Sequence, residues 1–144
     1  LKPLIRVQNA AARVVVMAKK YDHITPILAR LHWLPIAERI QFKFLLLFYK
    51  SLQGLAPPYL SELVNWYIPA RSLRSCSNFL AEVKSVKQTK SDGKNSKVLF
   101  KDRAFENLGP KLFNTLPDHI RSSQSLPLFK SRLKTYLFTK SFNS

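Results

Sequence analysis

Apolar residues recur at three- and four-residue steps near the start of the chain, at Leu4, Val7, Ala11, Val14 and Ala18. That period places them on one narrow helical face and predicts an amphipathic helix over Leu4 to Lys20, with the stripe turned inward. Lys19 and Lys20 fall in its expected last turn, where cations complement the helix dipole. Thr25-Pro26 predicts an N-cap with proline at the first helical position, opening a short helix through Ile27, Leu28 and Leu31. Leu34-Pro35 breaks that helix. Ile36 to Gln53 then reads as a helix that is apolar on most sides, through Ile40, Phe42, Phe44 to Leu47 and Phe48, as expected of a central element. Gly54 is placed to close it as a left-handed cap, and Pro57-Pro58 prevents continuation before a short helix around Tyr59 to Val64.

From Pro69 to Asn78 the apolar period disappears into Ser, Arg and Pro, which predicts a loop. Phe79 to Lys87 alternates and predicts a strand. Asp92-Gly93 supplies a turn, and Val98 to Lys101 supplies a return strand. Asp102 is positioned to cap a helix through Ala104, Phe105 and Leu108, with Gly109-Pro110 expected to kink or restart it. At the carboxyl end Ser125 caps, Pro127 sits in the first turn, and Leu126, Phe129, Leu133 and Leu137 form a helical stripe. These elements add up to a mainly α fold, an irregular helical domain with one small β-hairpin near residues 79–101. Residues 1–68 read as a helical region, 69–101 as a basic loop and hairpin, and 102–144 as helices packing on the same core, one domain overall.

Composition changes this picture chiefly through charge. Of 144 residues, 24 are Lys or Arg and 8 are Asp or Glu, a formal net charge of +16. An excess of that size opposes compaction and concentrates polyanions around the chain, so nucleic acid is the first partner to consider. Hydrophobic residues at 46% are enough to fold. The longest nearly apolar run, Ile40 to Tyr49, is interrupted by Gln41 and Lys43 and falls short of the roughly 20 residues of a membrane span, so no membrane partner is expected. The single Cys76 excludes an internal disulfide and fits an intracellular setting, nuclear or cytoplasmic. Leu1 opens the chain and Met17 is its only methionine, so a piece of a longer protein is expected.

The residues that carry most chemistry are sparse. His23, His32 and His119 have no second ligand at metal spacing, and Cys76 has no base beside it. The three glycines, Gly54, Gly93 and Gly109, form no phosphate loop. No catalytic residue, metal site or cofactor is assigned. The binding signal is cationic. Arg71 and Arg74 in the serine-rich loop are placed for charge-assisted contacts to phosphate. Lys84, Lys87, Lys90, Lys94 and Lys97 would line a projecting ribbon able to follow a phosphate backbone without reading bases. These seven are the expected nucleic-acid-binding residues, although the same lysines would equally serve to solvate a turn. Further cations cluster at Arg6, Arg13, Lys19 and Lys20 and at Lys130, Arg132 and Lys134. Trp33, Trp66, Tyr67 and Phe113 are flanked by Leu and Pro and read as core aromatics before base-stacking ones.

Ten short stretches, in order, carry a resemblance. They are Val7-Gln8-Asn9-Ala10-Ala11-Ala12-Arg13, His23-Ile24-Thr25-Pro26, Leu31-His32-Trp33-Leu34-Pro35, and Arg39-Ile40 with Phe42-Lys43. Tyr49-Lys50, Gly54-Leu55-Ala56-Pro57-Pro58-Tyr59-Leu60, Arg71-Ser72-Leu73-Arg74-Ser75, Asp102-Arg103-Ala104-Phe105, Gly109-Pro110-Lys111-Leu112-Phe113-Asn114 and Leu116-Pro117 complete the series. Over nearly its whole length the chain resembles the carboxyl-terminal tail of reverse transcriptases of LINE-type non-LTR retrotransposons, of the jockey and chicken-repeat clades. It departs from that pattern at Lys101, where the family often has Gly, at Phe113, where Trp is usual, and in a longer Thr89 to Lys97.

The resemblance implies a segment at and beyond the polymerase thumb, with residues 1–68 as the thumb-like and post-thumb part. The parent polymerase needs paired aspartates for two magnesium ions. Asp22, Asp92, Asp102 and Asp118 form no such pair. The expectation is therefore a noncatalytic region that helps hold template RNA or target DNA, without sequence preference, and that contacts the upstream polymerase domain of the parent protein. The alternatives are a structural brace for the thumb and a translated remnant without function.

Overall fold

The computed structural model describes residues 1–69, 79–83 and 104–142. Seven helices occupy these residues: α1 Lys2–Val16, α2 Ile24–Arg30, α3 Ile36–Leu52, α4 Pro58–Ser61, α5 Phe105–Asn114, α6 Asp118–Arg121 and α7 Leu126–Phe142. The protein is mainly α, as the periodicity predicts. It falls into two compact units, one of Leu1–Lys43 with Lys130–Ser144 and one of Phe44–Phe129.

In the first unit α1 departs from expectation in two ways. It ends at Val16, because Met17 turns left-handed at φ 54°. Met17 N–H then donates to the Val14 carbonyl at 3.2 Å and Ala18 N–H to the Arg13 carbonyl at 2.9 Å, closing the helix. Lys19 and Lys20 therefore lie past its end. Asp22 organises that turn: its carboxylate accepts from the Lys19 N–H at 2.7 Å, and its carbonyl accepts from the Arg13 guanidinium at 3.1 Å. The apolar stripe faces outward as well. Leu4, Val7 and Val14 are 57%, 68% and 77% exposed, while Gln8 and Ala12 are buried. Gln8 is anchored there by its amide Nε2, which donates to the Leu34 carbonyl at 2.8 Å. A small residue and a satisfied polar one thus occupy the inward face.

Helix α2 starts at Ile24 with His23 as its cap, without a side-chain cap bond. This corrects the expected Thr25 cap. Pro26 becomes the third helical residue, still among the first four whose N–H groups have no partner within a helix, so its missing donor breaks no bond. Ring contact between His32 and Phe138, at 5.4 Å between centroids, joins the turn after α2 to α7.

The second unit is built on aromatic rings. Leu45, Phe48 and Tyr49 of α3 are buried, whereas Ile40 and Leu47 are exposed, so the helix is not enclosed on all sides. Phe48 meets Phe105 at 5.7 Å and Phe113 at 5.5 Å, and Tyr49 stacks on Phe129 at 4.0 Å with the planes 6° apart. The Tyr49 hydroxyl donates to the Ser123 carbonyl at 2.6 Å. Gly54 closes α3 at φ 68°: its N–H donates to the Ser51 carbonyl and Leu55 N–H to the Lys50 carbonyl, the paired bonds of a left-handed cap.

Gly109-Pro110 does not break α5, which runs through both residues. A residue before proline is normally pushed out of the helical region because its Cβ and N–H crowd the ring, and glycine has no Cβ to crowd. The bare backbone of Gly109 also seats Phe48, whose ring a Cβ at 109 would overlap. Ala104, not Asp102, is the N-cap of α5, and Asp102 lies outside the described residues. At α7 the expected cap holds: Ser125 Oγ accepts a long bond from the Leu128 N–H at 3.4 Å, and Phe129, Leu133 and Leu137 are fully buried.

Of the expected hairpin, the described part pairs differently. Ala81 forms an isolated antiparallel bridge with Trp66, flanked by Tyr67 N–H to the Leu80 carbonyl and Glu82 N–H to the Asn65 carbonyl. Residues 80–82 therefore pair backward to 65–67. The backbone groups of Ala81 point the other way and are both met by the side-chain amide of Asn114, at 2.9 Å each. The turn at Asp92-Gly93 and the return strand Val98 to Lys101 lie outside the described residues.

Three stability predictions follow from these contacts. Gly109→Ala forces Phe48 out of a site backed by Phe105 and Phe113, and lowers unfolding free energy by about 2 kcal/mol in urea denaturation. Met17 is 95% exposed and contributes no packing, so Met17→Gly relieves the left-handed backbone and raises stability by about 1 kcal/mol. Burial raises the Tyr49 hydroxyl above its usual 10.0, partly offset by a hydrogen bond with the Gln53 side chain. Because the folded state favours the neutral phenol, this contribution is complete below pH 10 and is lost as pH rises through the folded value. Tyr49→Phe costs about 1–2 kcal/mol at neutral pH by removing the buried hydrogen bond from the Tyr49 hydroxyl to the Ser123 carbonyl. It should also flatten the alkaline limb of a stability–pH curve.

Candidate nucleic-acid interface

The seven cations expected from sequence to bind nucleic acid, Arg71, Arg74, Lys84, Lys87, Lys90, Lys94 and Lys97, lie outside the described residues. The remaining charge is divided unevenly between the two units. Leu1–Lys43 contains eight Lys and Arg (Lys2, Arg6, Arg13, Lys19, Lys20, Arg30, Arg39, Lys43), and Lys130–Ser144 adds four (Lys130, Arg132, Lys134, Lys140). Against these twelve stand only Asp22 and Glu38. In the described part of the second unit Lys50, Lys111 and Arg121 face Glu62, Glu82, Glu106 and Asp118, which is close to neutral. All twelve cations of the first unit except Arg13 and Arg132 are exposed.

Local structure arranges them in rows. On α1, Lys2, Arg6 and Arg13 stand at helical spacing and share one flank. On α7, Lys130 and Lys134 are one turn apart and exposed, so their ammonium groups flank the buried stripe of Leu133 and Leu137, and exposed Ser131 and Thr135 line the face beyond. Lys20 lies 5.9 Å from the centre of the Tyr21 ring, which is 88% exposed. Arg30, Arg39 and Lys43 add exposed cations from α2 and α3. Rows of this kind can neutralise successive phosphates. They carry no donor and acceptor pattern that would read a base edge.

Sequence reasoning noted the cations of α1 and of α7 as separate clusters and did not group Arg30, Arg39 or Lys43 with them. More than a hundred positions separate Arg13 from Lys130, so only the tertiary structure places the two clusters in one compact unit. The aromatics divide as well. Phe113 has no exposed surface and Trp66 is half-buried, its indole N–H donating to the Leu52 carbonyl at 3.2 Å, whereas Tyr67 is exposed. Arg121 is buried and pairs with Asp118, and its Nε and Nη1 meet no hydrogen-bond partner among the described residues. Among the described residues no three His, Cys, Asp or Glu side chains gather as metal ligands, and no helix is long and apolar enough to cross a membrane. No family model, curated protein or solved structure matches the chain.

Proposed function

We propose that this protein is a noncatalytic nucleic-acid-binding module, equivalent to the carboxyl-terminal region of a LINE-type reverse transcriptase. In that role it holds template RNA or target DNA by its phosphates. The observation that carries this reading is the concentration of charge in the first unit, twelve Lys and Arg against two carboxylates. A folded body with so steep an imbalance stores self-repulsion that a polyanion relieves on binding, releasing counterions as it does so. The lysine-rich segment between Arg71 and Lys97 adds further positive charge to the chain. The ten ordered stretches of sequence support the LINE assignment, and the parent polymerase domain is the natural protein neighbour under it.

Fluorescence anisotropy with a duplex and a single strand of unrelated sequences tests the proposal. Affinity falls steeply with salt, with a logarithmic slope of about −0.9 per phosphate neutralised on duplex and about −0.7 on single strands, and differs little between sequences. Substituting Gln for Lys2, Arg6, Lys130 and Lys134 reduces the slope by about 3 and weakens binding at least tenfold, while Gln at Lys50 and Lys111 changes it little. Binding that ignores salt, or that survives the first set of substitutions intact, would overturn the proposal.

A further inference from the structure

The turn between α1 and α2 borders a groove that lies wholly inside the first unit. Asp22 fixes that turn: its carboxylate accepts from the Lys19 N–H at 2.7 Å, and its carbonyl accepts from the Arg13 guanidinium at 3.1 Å. Lys20 and Tyr21 are held between these anchored residues. The groove has a volume of about 570 Å³, within the ~300–1,000 Å³ of small-ligand sites, and Met17, Tyr21, Pro26, Ile27 and Arg30 are among its walls. Met17 and Tyr21 are 95% and 88% exposed, so two large side chains with almost nothing packed on them face one opening. Met17 also keeps a left-handed backbone at φ 54° while contributing no packing, a cost that folding alone does not account for.

The chemistry of the walls selects an occupant. An open tyrosine ring takes a planar group, and the Lys20 ammonium, 5.9 Å from the centre of that ring, takes an anion beside it. Exposed Arg30 supplies a second cation on the groove, and the one carboxylate in the lining, Asp22, is already engaged by the Lys19 N–H. A nucleotide joins the two required parts, a flat base and a phosphate. Bases inside a duplex are stacked on one another, so only an unpaired one can enter. A stable protein interface takes roughly 20–30 residues a side, whereas nine line this groove. A second copy would bring Lys20 and Arg30 against the same cations, and a bilayer favours a broad face of Trp, Phe and Leu over one tyrosine. We propose that this groove is a stacking site for an unpaired base of RNA or single-stranded DNA, the base on Tyr21 beside Met17 and the adjoining phosphates on Lys20 and Arg30. The inference rests on the nucleic-acid reading and adds to it a preference for single strands, still without base readout, since every base has a face to stack.

The test measures anisotropy of the full chain with three labelled probes: a strand of about 12 nucleotides, its duplex, and an abasic strand of equal length. Tyr21→Ala is expected to lower the ratio of single-strand to duplex affinity about tenfold, and Tyr21→Phe to preserve it. Removing the bases from the strand should weaken binding to the natural chain and have no such effect on the Tyr21→Ala variant. Tyr21 is exposed, so an unchanged thermal midpoint confirms that the variant folds. A ratio untouched by Tyr21→Ala, or an abasic strand bound as tightly as the intact one, overturns the stacking site. Either result leaves the salt-dependent duplex binding, and with it the nucleic-acid reading, in place, whereas binding to no probe ends both. A chain dimer, or adsorption to phosphatidylserine vesicles, that Tyr21→Ala abolishes while the ratio stays fixed would give the groove to that occupant and refute the proposal.

Discussion

Phe48 lies against the bare backbone of Gly109, and the second unit is arranged around that contact. The ring occupies the space a side chain at 109 would fill. It is held there by Phe105 and Phe113, which sit one turn before and one turn after Gly109 on the same helix. Gly109 also permits Pro110 to remain inside α5, so a single missing Cβ serves helix continuity and ring packing together. Next to Phe48, Tyr49 stacks on Phe129 and ties its hydroxyl to Ser123, which gives an otherwise non-directional cluster one fixed polar link. Asn114, on the same helix as Gly109, meets both backbone groups of Ala81 and so ties the short bridged segment to that framework.

Charge follows a different logic. Apolar packing tolerates few ions, and the described part of the second unit carries a nearly balanced set. The first unit carries most of its cations on exposed positions of its helices and turns, where water and salt moderate their repulsion. Such an arrangement costs little in the free protein while leaving a strong potential for a polyanion. It does not specify a sequence, because the rows on α1 and α7 present ammonium and guanidinium groups at phosphate-like repeats without shaped donor pairs.

Helix α1 joins both themes. Its inward face is small and polar, secured by one hydrogen bond from Gln8, so most of its apolar side chains are left to other contacts. Its cations Lys2 and Arg6 stand on a face apart from its exposed valines Val7 and Val14. The left-handed Met17 ends it before the lysines, which frees Lys19 and Lys20 from the helix and gives them to the turn that Asp22 organises.

Features that depend on a few neighbouring residues were legible in the sequence: the Gly54 cap, the Ser125 cap, the stripe of Phe129, Leu133 and Leu137, and the extent of α3 along the chain. Each rests on local backbone geometry or on an unambiguous period. What the tertiary structure alone decided was orientation and company. A periodic stripe shows that a helix has an apolar face but does not say whether anything covers it, so Leu4, Val7 and Val14 were expected inside and are found outside. Proline after glycine signals a break until a ring is seen to need the missing Cβ. The cations of Lys2 to Lys43 and of Lys130 to Lys140 belong to one unit only because segments far apart in the chain pack together, as His32 does with Phe138, and no local pattern encodes a contact across a hundred residues.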